Sequence, residues 1–142
     1  MNTIDIALRI ATSAHAGQLD RDGSPVVLHP LAVGLMGHTD EEKIAGFLHD
    51  VVEDTAYTFD DLLQQGIPTG IVNALRLLTR DEGISYDDYL QRIIDSENPI
   101  ALQVKYNDLQ HNYARGKAHP DLQAKHGKAL AKVKAAIEAN SK

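Results

Sequence analysis

The chain has 142 residues, with 14 Lys and Arg against 20 Asp and Glu, seven His and no Cys. The lack of Cys excludes a disulfide scaffold, a thiolate zinc site and a cysteine nucleophile. Proteins that bind nucleic acid usually present a basic face, which this acidic balance disfavours. No apolar run approaches the roughly 18 residues of a membrane span, and the N-terminus lacks a signal-peptide pattern. We therefore expect one cytoplasmic domain over residues 1–142, with neither nucleic acid nor membrane as a partner.

Helical periodicity runs through nearly the whole chain, and strand signals are absent. A first helix begins near residue 4 and stops by Gly17, and a polar loop over residues 17–25 follows it. The expected caps are Asp40, the capping box that starts at Thr58, and Ser85 and Asn98. The sequence thus predicts an all-α fold, a single compact bundle of about seven or eight helices. The later helices are expected over residues 30–38, 41–52, 58–66, 68–79, 85–96, 98–114 and 121–140.

The segment from residue 43 to residue 54 is the most informative. On a helical wheel of ~100° per residue, its apolar side chains lie on one side and its imidazole and three carboxylates share an arc of roughly 140°. Gly46 falls inside this arc, where a missing side chain is expected to leave room for another group. Carboxylates so close together repel each other unless a positive charge lies nearby, and mixed imidazole and carboxylate ligands suit a divalent cation. The alternative is an ordinary solvated face. The polar residues are His49, Asp50, Glu53 and Asp54.

Two further segments strengthen the case for a metal. His29 stands directly before Pro30 at the expected start of a helix. On a later helix Lys105, Asp108 and Asn112 share one stripe, away from the apolar residues. Each segment alone has an ordinary explanation, a turn histidine in the first case and an exposed Lys–Asp pair in the second.

Together these motifs resemble the H…HD…D pattern of the HD-domain phosphohydrolases. The finer match is to the hydrolase domain of RelA/SpoT-type proteins and to small stand-alone alarmone hydrolases. The motifs keep that family's order and approximate spacing from residue 14 to residue 112. They are AHAGQ at 14–18, RDGSP at 21–25, HP at 29–30, LHDVVEDT at 48–55, LT at 78–79 and KYNDLQHN at 105–112.

The resemblance implies an all-α HD-domain bundle and a metal-dependent hydrolase. The implied reaction releases pyrophosphate from the 3′ position of guanosine tetra- or pentaphosphate. Glu53 and Asp54 are the implied pair that orients and deprotonates a water. One divalent metal, usually Mn²⁺ in this family, is expected on His29, His49, Asp50 and Asp108. The substrate nucleotide is expected to contact Arg21, Lys105 and Asn112.

Some positions depart from the family pattern. Val26 stands where the family usually has a Tyr, and His126 where small hydrolases often carry one. Arg80, not Lys, follows the LT motif. These departures leave two alternatives: an HD phosphatase that acts on another nucleotide, and a module that binds a nucleotide without turnover. A structural domain with a vestigial site is a third. The intact Glu53–Asp54 pair argues against a pure binder.

The remaining histidines and the C-terminal charges are given simpler roles. His15 is expected to be structural and to hydrogen-bond near the site, and His111 is expected beside the metal without ligating it. His38 and His119 are expected at the surface. Residues 115–142 hold 7 Lys and Arg against 2 Asp and Glu, whereas residues 1–114 hold 7 against 18. The basic last helix could draw an anionic nucleotide towards the site, or it could simply be solvated.

Overall fold

The computed structural model describes residues 2–116 and 119–141, and regular structure in these ranges is helical apart from an isolated bridge between Leu19 and Pro25. The all-α expectation is confirmed. The helix count agrees with the prediction when α3 and α4, which are separated by two residues, are taken as one interrupted helix. The helices are α1 (Thr3–Ala14), α2 (Leu28–Leu35), α3 (Asp40–Leu48), α4 (Val51–Asp54), α5 (Phe59–Gln64), α6 (Thr69–Leu78), α7 (Tyr86–Ser96), α8 (Pro99–Arg115) and α9 (Pro120–Asn140).

Side-chain caps fix most helix starts where the sequence placed them. Thr58 accepts from the Asp61 N–H at 3.1 Å and the Asp61 carboxylate accepts from the Thr58 N–H at 2.8 Å, which completes the predicted capping box. Ser85 and Asn98 cap α7 and α8 as expected. The predicted cap of α3 was one residue late, because Thr39 caps this helix and Asp40 is its first residue.

Two predicted helices have different limits in the structure. Helix α2 lies two to three residues earlier than expected, so His29 belongs to its first turn. The helix expected over residues 41–52 breaks at His49 and Asp50. The reason is local: the His49 ring donates from Nδ1 to the Gly46 carbonyl at 2.6 Å, and in a continuous helix this carbonyl would accept from the Asp50 N–H.

Helix α8 lies at the centre of the bundle, where it packs against α2, α3, α6, α7 and α9. The buried apolar side chains form one cluster, to which α8 contributes Ala101, Leu102, Val104 and Leu109. Polar residues of α8 are therefore buried as well, among them Lys105 and Asp108. None of the described helices is both long and apolar enough to cross a membrane.

Helices α2 and α3 approach each other through Gly34 and Gly46. A Cβ atom added to Gly46 would lie 2.7 Å from the Gly34 Cα, and one added to Gly34 would collide with the Phe47 ring. Gly46 therefore leaves room as expected, and the group that fills this room is the backbone of α2. This close packing holds the rings of His29 and His49 at a centroid distance of 5.2 Å.

We predict that Gly46→Ala destabilises the protein by about 1–3 kcal/mol, because the added methyl meets backbone that cannot move aside. Gly70→Ala is the matched control, since its Cβ would have no neighbour within 4 Å and Ala favours a helix by up to about 1 kcal/mol. Urea unfolding measures both free energies. Equal stabilities of the two variants would contradict the proposed packing role of Gly46.

Candidate active site

The four predicted metal ligands come together where α2, the α3–α4 turn and α8 meet. His29, His49 and Asp50 each offer a ligand atom, and these atoms all lie within 4.8 Å of one another. From α8, the Oδ1 atom of Asp108 lies 2.7 Å from His29 Nε2 and 3.4 Å from His49 Nε2. Both histidines are only 5% exposed. The structure therefore forms one buried cluster from residues up to 79 positions apart in the sequence.

The ring of His49 is oriented as a metal ligand requires. Its Nδ1 donates to the Gly46 carbonyl, so a neutral ring carries its hydrogen there and leaves a lone pair on Nε2. This Nε2 atom is buried and has no hydrogen-bond partner among residues 2–116 and 119–141. It lies 3.3 Å from an Asp50 carboxylate oxygen. A free imidazole nitrogen between two carboxylates suits a divalent cation, so the donor set fits the predicted metal.

The charges of the cluster change the ionisation of His49. Burial lowers its pKa, but Asp50 and Asp108 outweigh this effect and raise the pKa to about 9. Burial lowers the pKa of His29 as well, and there it prevails. The cluster is thus negative enough to hold a proton on His49, and a divalent cation can replace that proton.

Asp108 is a buried carboxylate with several donors around it. Lys105 Nζ donates to its Oδ2 at 2.9 Å, and Asn112 Nδ2 donates to its Oδ1 at 3.1 Å. Burial alone would raise the pKa of Asp108, but Lys105 and the two histidines hold it well below its usual value. The ammonium of Lys105 also lies 3.4 Å from the Tyr89 hydroxyl. Lys105 therefore keeps Asp108 ionised. The Lys–Asp pair was foreseen as the ordinary explanation of this stripe, but it was expected to be exposed, whereas both side chains are buried.

His111 is hydrogen-bonded to the ring of His29, beside the cluster and outside it. The two Nδ1 atoms are 2.7 Å apart and the rings stack at a centroid distance of 4.9 Å. Burial, together with the charge of His29, lowers the pKa of His111 to about 4, so its ring is neutral at pH 7 and can donate or accept. The pair can keep this hydrogen bond in either tautomer of His29. The position agrees with the expectation for His111.

Three carboxylates form a second group next to the first. Oxygen atoms of Asp50, Glu53 and Asp54 lie within 4.8 Å of one another. The Arg80 backbone N–H donates to Glu53 Oε1 at 2.7 Å and fixes that carboxylate. Burial, followed by the charges of Asp50 and Glu53, raises the pKa of Asp54 to about 6. A carboxylate with such a pKa accepts a proton near neutral pH more readily than an ordinary one.

The AHAGQ motif contacts this second group of carboxylates through the backbone of Asp54. His15 is 1% exposed, and its Nδ1 lies 3.0 Å from the Gln18 side-chain oxygen. The Gln18 amide in turn donates to the backbone carbonyl of Asp54 at 3.2 Å. His15 therefore acts through Gln18 on the position of Asp54, which matches its expected structural role.

The three predicted substrate residues do not share one cavity. Arg21 and Asn112 line a cavity of about 320 Å³ between the loop over residues 17–25 and α9. Lys105 lines a different cavity, of about 200 Å³, together with His49 and Asp108. Predicted metal ligands thus line only the smaller of these two cavities, and the larger one is connected to the cluster through Asn112, which donates to Asp108.

Ion pairs that sequence reasoning missed hold the loop over residues 17–25 in place. His119 Nε2 lies 3.1 Å from an Asp22 carboxylate oxygen, and Arg115 Nη1 lies 3.9 Å from Asp20. Arg115 also donates twice to the side-chain oxygen of Asn112, at 2.9 and 2.7 Å. His119 was expected only at the surface. No local pattern could have indicated these contacts, because the first joins residues 97 positions apart.

No protein-family model matches the chain. Over 79% of its length it is 32% identical to the guanosine-3′,5′-bis(diphosphate) 3′-pyrophosphohydrolase of Haemophilus influenzae, and 31% identical to a probable GTP pyrophosphokinase of Mycobacterium leprae. The chain spans less than a fifth of these relatives, 18% and 16% of their lengths.

A solved structure matches the whole fold. It is described as "A metazoan ortholog of SpoT hydrolyzes ppGpp and plays a role in starvation responses", and the match has a TM-score of 0.75 at 19% identity. It covers 99% of this chain and 94% of the other. The predicted resemblance to RelA/SpoT-type proteins is confirmed. The predicted HD-domain fold is confirmed with it.

We predict that the affinity for a divalent cation rises with pH between about 6.5 and 9. The cation must displace the proton that the carboxylates hold on His49, whose pKa is about 9. One displaced proton gives at most about a tenfold gain per pH unit. Calorimetric titrations with Mg²⁺, Mn²⁺ and Co²⁺ at several pH values measure the slope.

In this experiment His49→Gln should weaken cation binding and remove its pH slope, whereas His38→Gln should keep both, because the His38 side chain is 78% exposed and belongs to neither group of candidate ligands. An affinity that stays constant between pH 6.5 and 8.5 in the wild-type protein would contradict the proposed displacement.

Proposed function

We propose that this chain is a metal-dependent phosphohydrolase that removes pyrophosphate from the 3′ position of guanosine tetra- or pentaphosphate, leaving GDP or GTP. One observation carries the proposal: Asp50 belongs to both groups, with the two histidines on one side and with Glu53 and Asp54 on the other. The candidate metal ligands and two further carboxylates are thus adjacent. The name of the Haemophilus influenzae relative supports this choice of substrate.

In this proposal His29, His49, Asp50 and Asp108 would hold one divalent cation, Mn²⁺ in the first instance. When bound, such a cation neutralises charge on a phosphoryl oxygen and lowers the pKa of a coordinated water. The protein contributes a dry, rigid cluster, because both histidines are buried and Asp108 is held by Lys105 and Asn112.

The carboxylates of Glu53 and Asp54 have different tasks in the attack by water. The Arg80 N–H holds Glu53, which suits the carboxylate that orients the water. Asp54, with its raised pKa, suits the base that accepts the proton of the water. The water oxygen would then bond to the phosphorus next to the ribose while the bond from that phosphorus to the 3′ oxygen breaks, and the 3′ oxygen would take up the proton that Asp54 accepted, which leaves a 3′-hydroxyl and pyrophosphate.

Arg21 and Asn112 are proposed to contact the nucleoside part of the substrate in the cavity of about 320 Å³. A guanidinium offers planar paired donors, and a carboxamide both donates and accepts. Arg115 keeps the Asn112 side chain in one orientation, because it binds the amide oxygen and leaves the amide nitrogen to Asp108. Lys105 is proposed to act through Asp108, by compensating its charge.

We predict that Asp54→Asn and Glu53→Gln each lower turnover by at least about 100-fold, since general-base catalysis contributes this much or more. His49→Ala should abolish turnover through loss of the cation. The assay measures pyrophosphate and orthophosphate released from guanosine tetraphosphate and from a panel of other nucleotides, with Mn²⁺ present. Asp60→Asn, an exposed carboxylate on α5, is the matched control and should keep full activity.

The products distinguish the candidate functions. Pyrophosphate from guanosine tetraphosphate is the expected result. Release of orthophosphate from another nucleotide would contradict the proposal and would indicate an HD phosphatase. If the metal-loaded wild-type protein binds the nucleotide but releases no product, the chain is a binding module and the proposal is wrong.

A further inference from the structure

The cavity of about 200 Å³ is lined by acidic and by basic side chains. Asp50, Glu53 and Asp108, with His49, belong to the proposed metal and water machinery. The basic residues are Arg80, Lys105 and Lys125, and the ring of Tyr86 also lines the cavity. An anion that enters this cavity is repelled by the free carboxylates and attracted by the basic side chains.

Lys125 is the cation of this cavity that is most available to a ligand. Its Nζ lies 4.1 Å from the centroid of the Tyr86 ring, which holds the ammonium at the cavity wall. Lys105 also lies near this ring, but its ammonium donates to Asp108. In the described part of the chain, no carboxylate lies within ion-pair distance of Lys125.

Arg80 is a second cation that lines the same cavity as Lys125. Its Nε donates to the Ile84 carbonyl at 2.8 Å, which fixes the guanidinium while its terminal nitrogens stay available. Its backbone N–H donates to the Glu53 carboxylate, so Arg80 is held next to the residue that is proposed to orient the water. Arg80 and Lys125 therefore bring two positive charges close to the place of reaction.

The other cavity is less suited to the reacting diphosphate, because none of the four proposed metal ligands lines it. Two carboxylates, Asp20 and Asp22, face this cavity together with two guanidinium groups, Arg21 and Arg115, so its charges balance within the protein. Carboxylates can also accept hydrogen bonds from N–H groups of a base.

We propose that Lys125, with Arg80 and Tyr86, forms the subsite that binds the diphosphate part of the substrate. This inference rests on the proposed function for the substrate class, and it adds the direction in which the substrate lies across the metal cluster. The diphosphate occupies the smaller cavity, and the nucleoside occupies the larger one. The proposed subsite also gives one residue of the basic helix α9, Lys125, a specific role.

The test compares Lys125→Gln with Lys134→Gln by calorimetric titration of inorganic pyrophosphate into the metal-loaded protein. Lys134 is an exposed lysine of the same helix and lines neither cavity, so it matches the charge change. Both solutions contain the same free Mn²⁺ concentration, so that chelation by pyrophosphate cancels between variants. Lys125→Gln should bind about tenfold more weakly, the loss expected for one charge-assisted hydrogen bond, and Lys134→Gln should bind as the wild type does.

Further arms of the test separate this inference from the proposed function. Lys125→Arg should retain most of the affinity, because it keeps the charge. Equal affinities of the Gln variants, or a wild-type protein that does not bind pyrophosphate, would overturn the subsite. Pyrophosphate binding that depends on Lys125, in a protein that hydrolyses no nucleotide, would uphold the subsite and remove the proposed function.

Discussion

The buried carboxylate of Asp108 is the group on which the rest of the site depends. An ionised carboxylate inside a helical bundle is costly unless charges and hydrogen bonds compensate it. Here Lys105 and Asn112 come from the same helix, at positions three before and four after it, and His29 comes from α2. The position of α8 at the centre of the bundle makes this possible, because only a central helix faces α2, α3 and α9 together. The compensated carboxylate then faces His49 and completes the cluster of candidate ligands.

Much of this arrangement was predictable from local sequence patterns. Capping residues such as Thr58 and Ser85 are short-range signals, and they fixed helix starts correctly. The residues of the cluster were predictable because imidazoles and carboxylates at helical spacing, without cations among them, are unusual on a solvated face. The resemblance then ordered them into ligands and bases, roles that stay predictions until they are measured.

Other features could not be predicted, because they depend on distant parts of the chain or on a side chain competing with the backbone. A helical wheel assumes an unbroken helix, whereas the His49 ring takes the Gly46 carbonyl and interrupts it. The wheel indicated that the missing side chain of Gly46 leaves room, but it has no information that α2 fills this room. The pairs that hold the loop over residues 17–25 involve residues of α8 and the start of α9, which no local pattern joins to that loop.

The acidic and the basic residues near the site come from different helices. Carboxylates concentrate at the α3–α4 turn, where they raise the pKa values of His49 and Asp54 and suit a cation. One basic residue of α9, Lys125, lines the same small cavity as this turn and lies over the ring of Tyr86. The proposed function and the proposed subsite both draw on this placement, which would suit a nucleotide with its phosphates on the reacting side.

The most direct test of this account is the position of a bound cation. Crystals grown with Mn²⁺, measured by anomalous diffraction, should show one strong peak within bonding distance of His29, His49, Asp50 and Asp108. A peak held by Asp50, Glu53 and Asp54 without the histidines would contradict the account, because those carboxylates would then be ligands and could not serve as the water-activating pair.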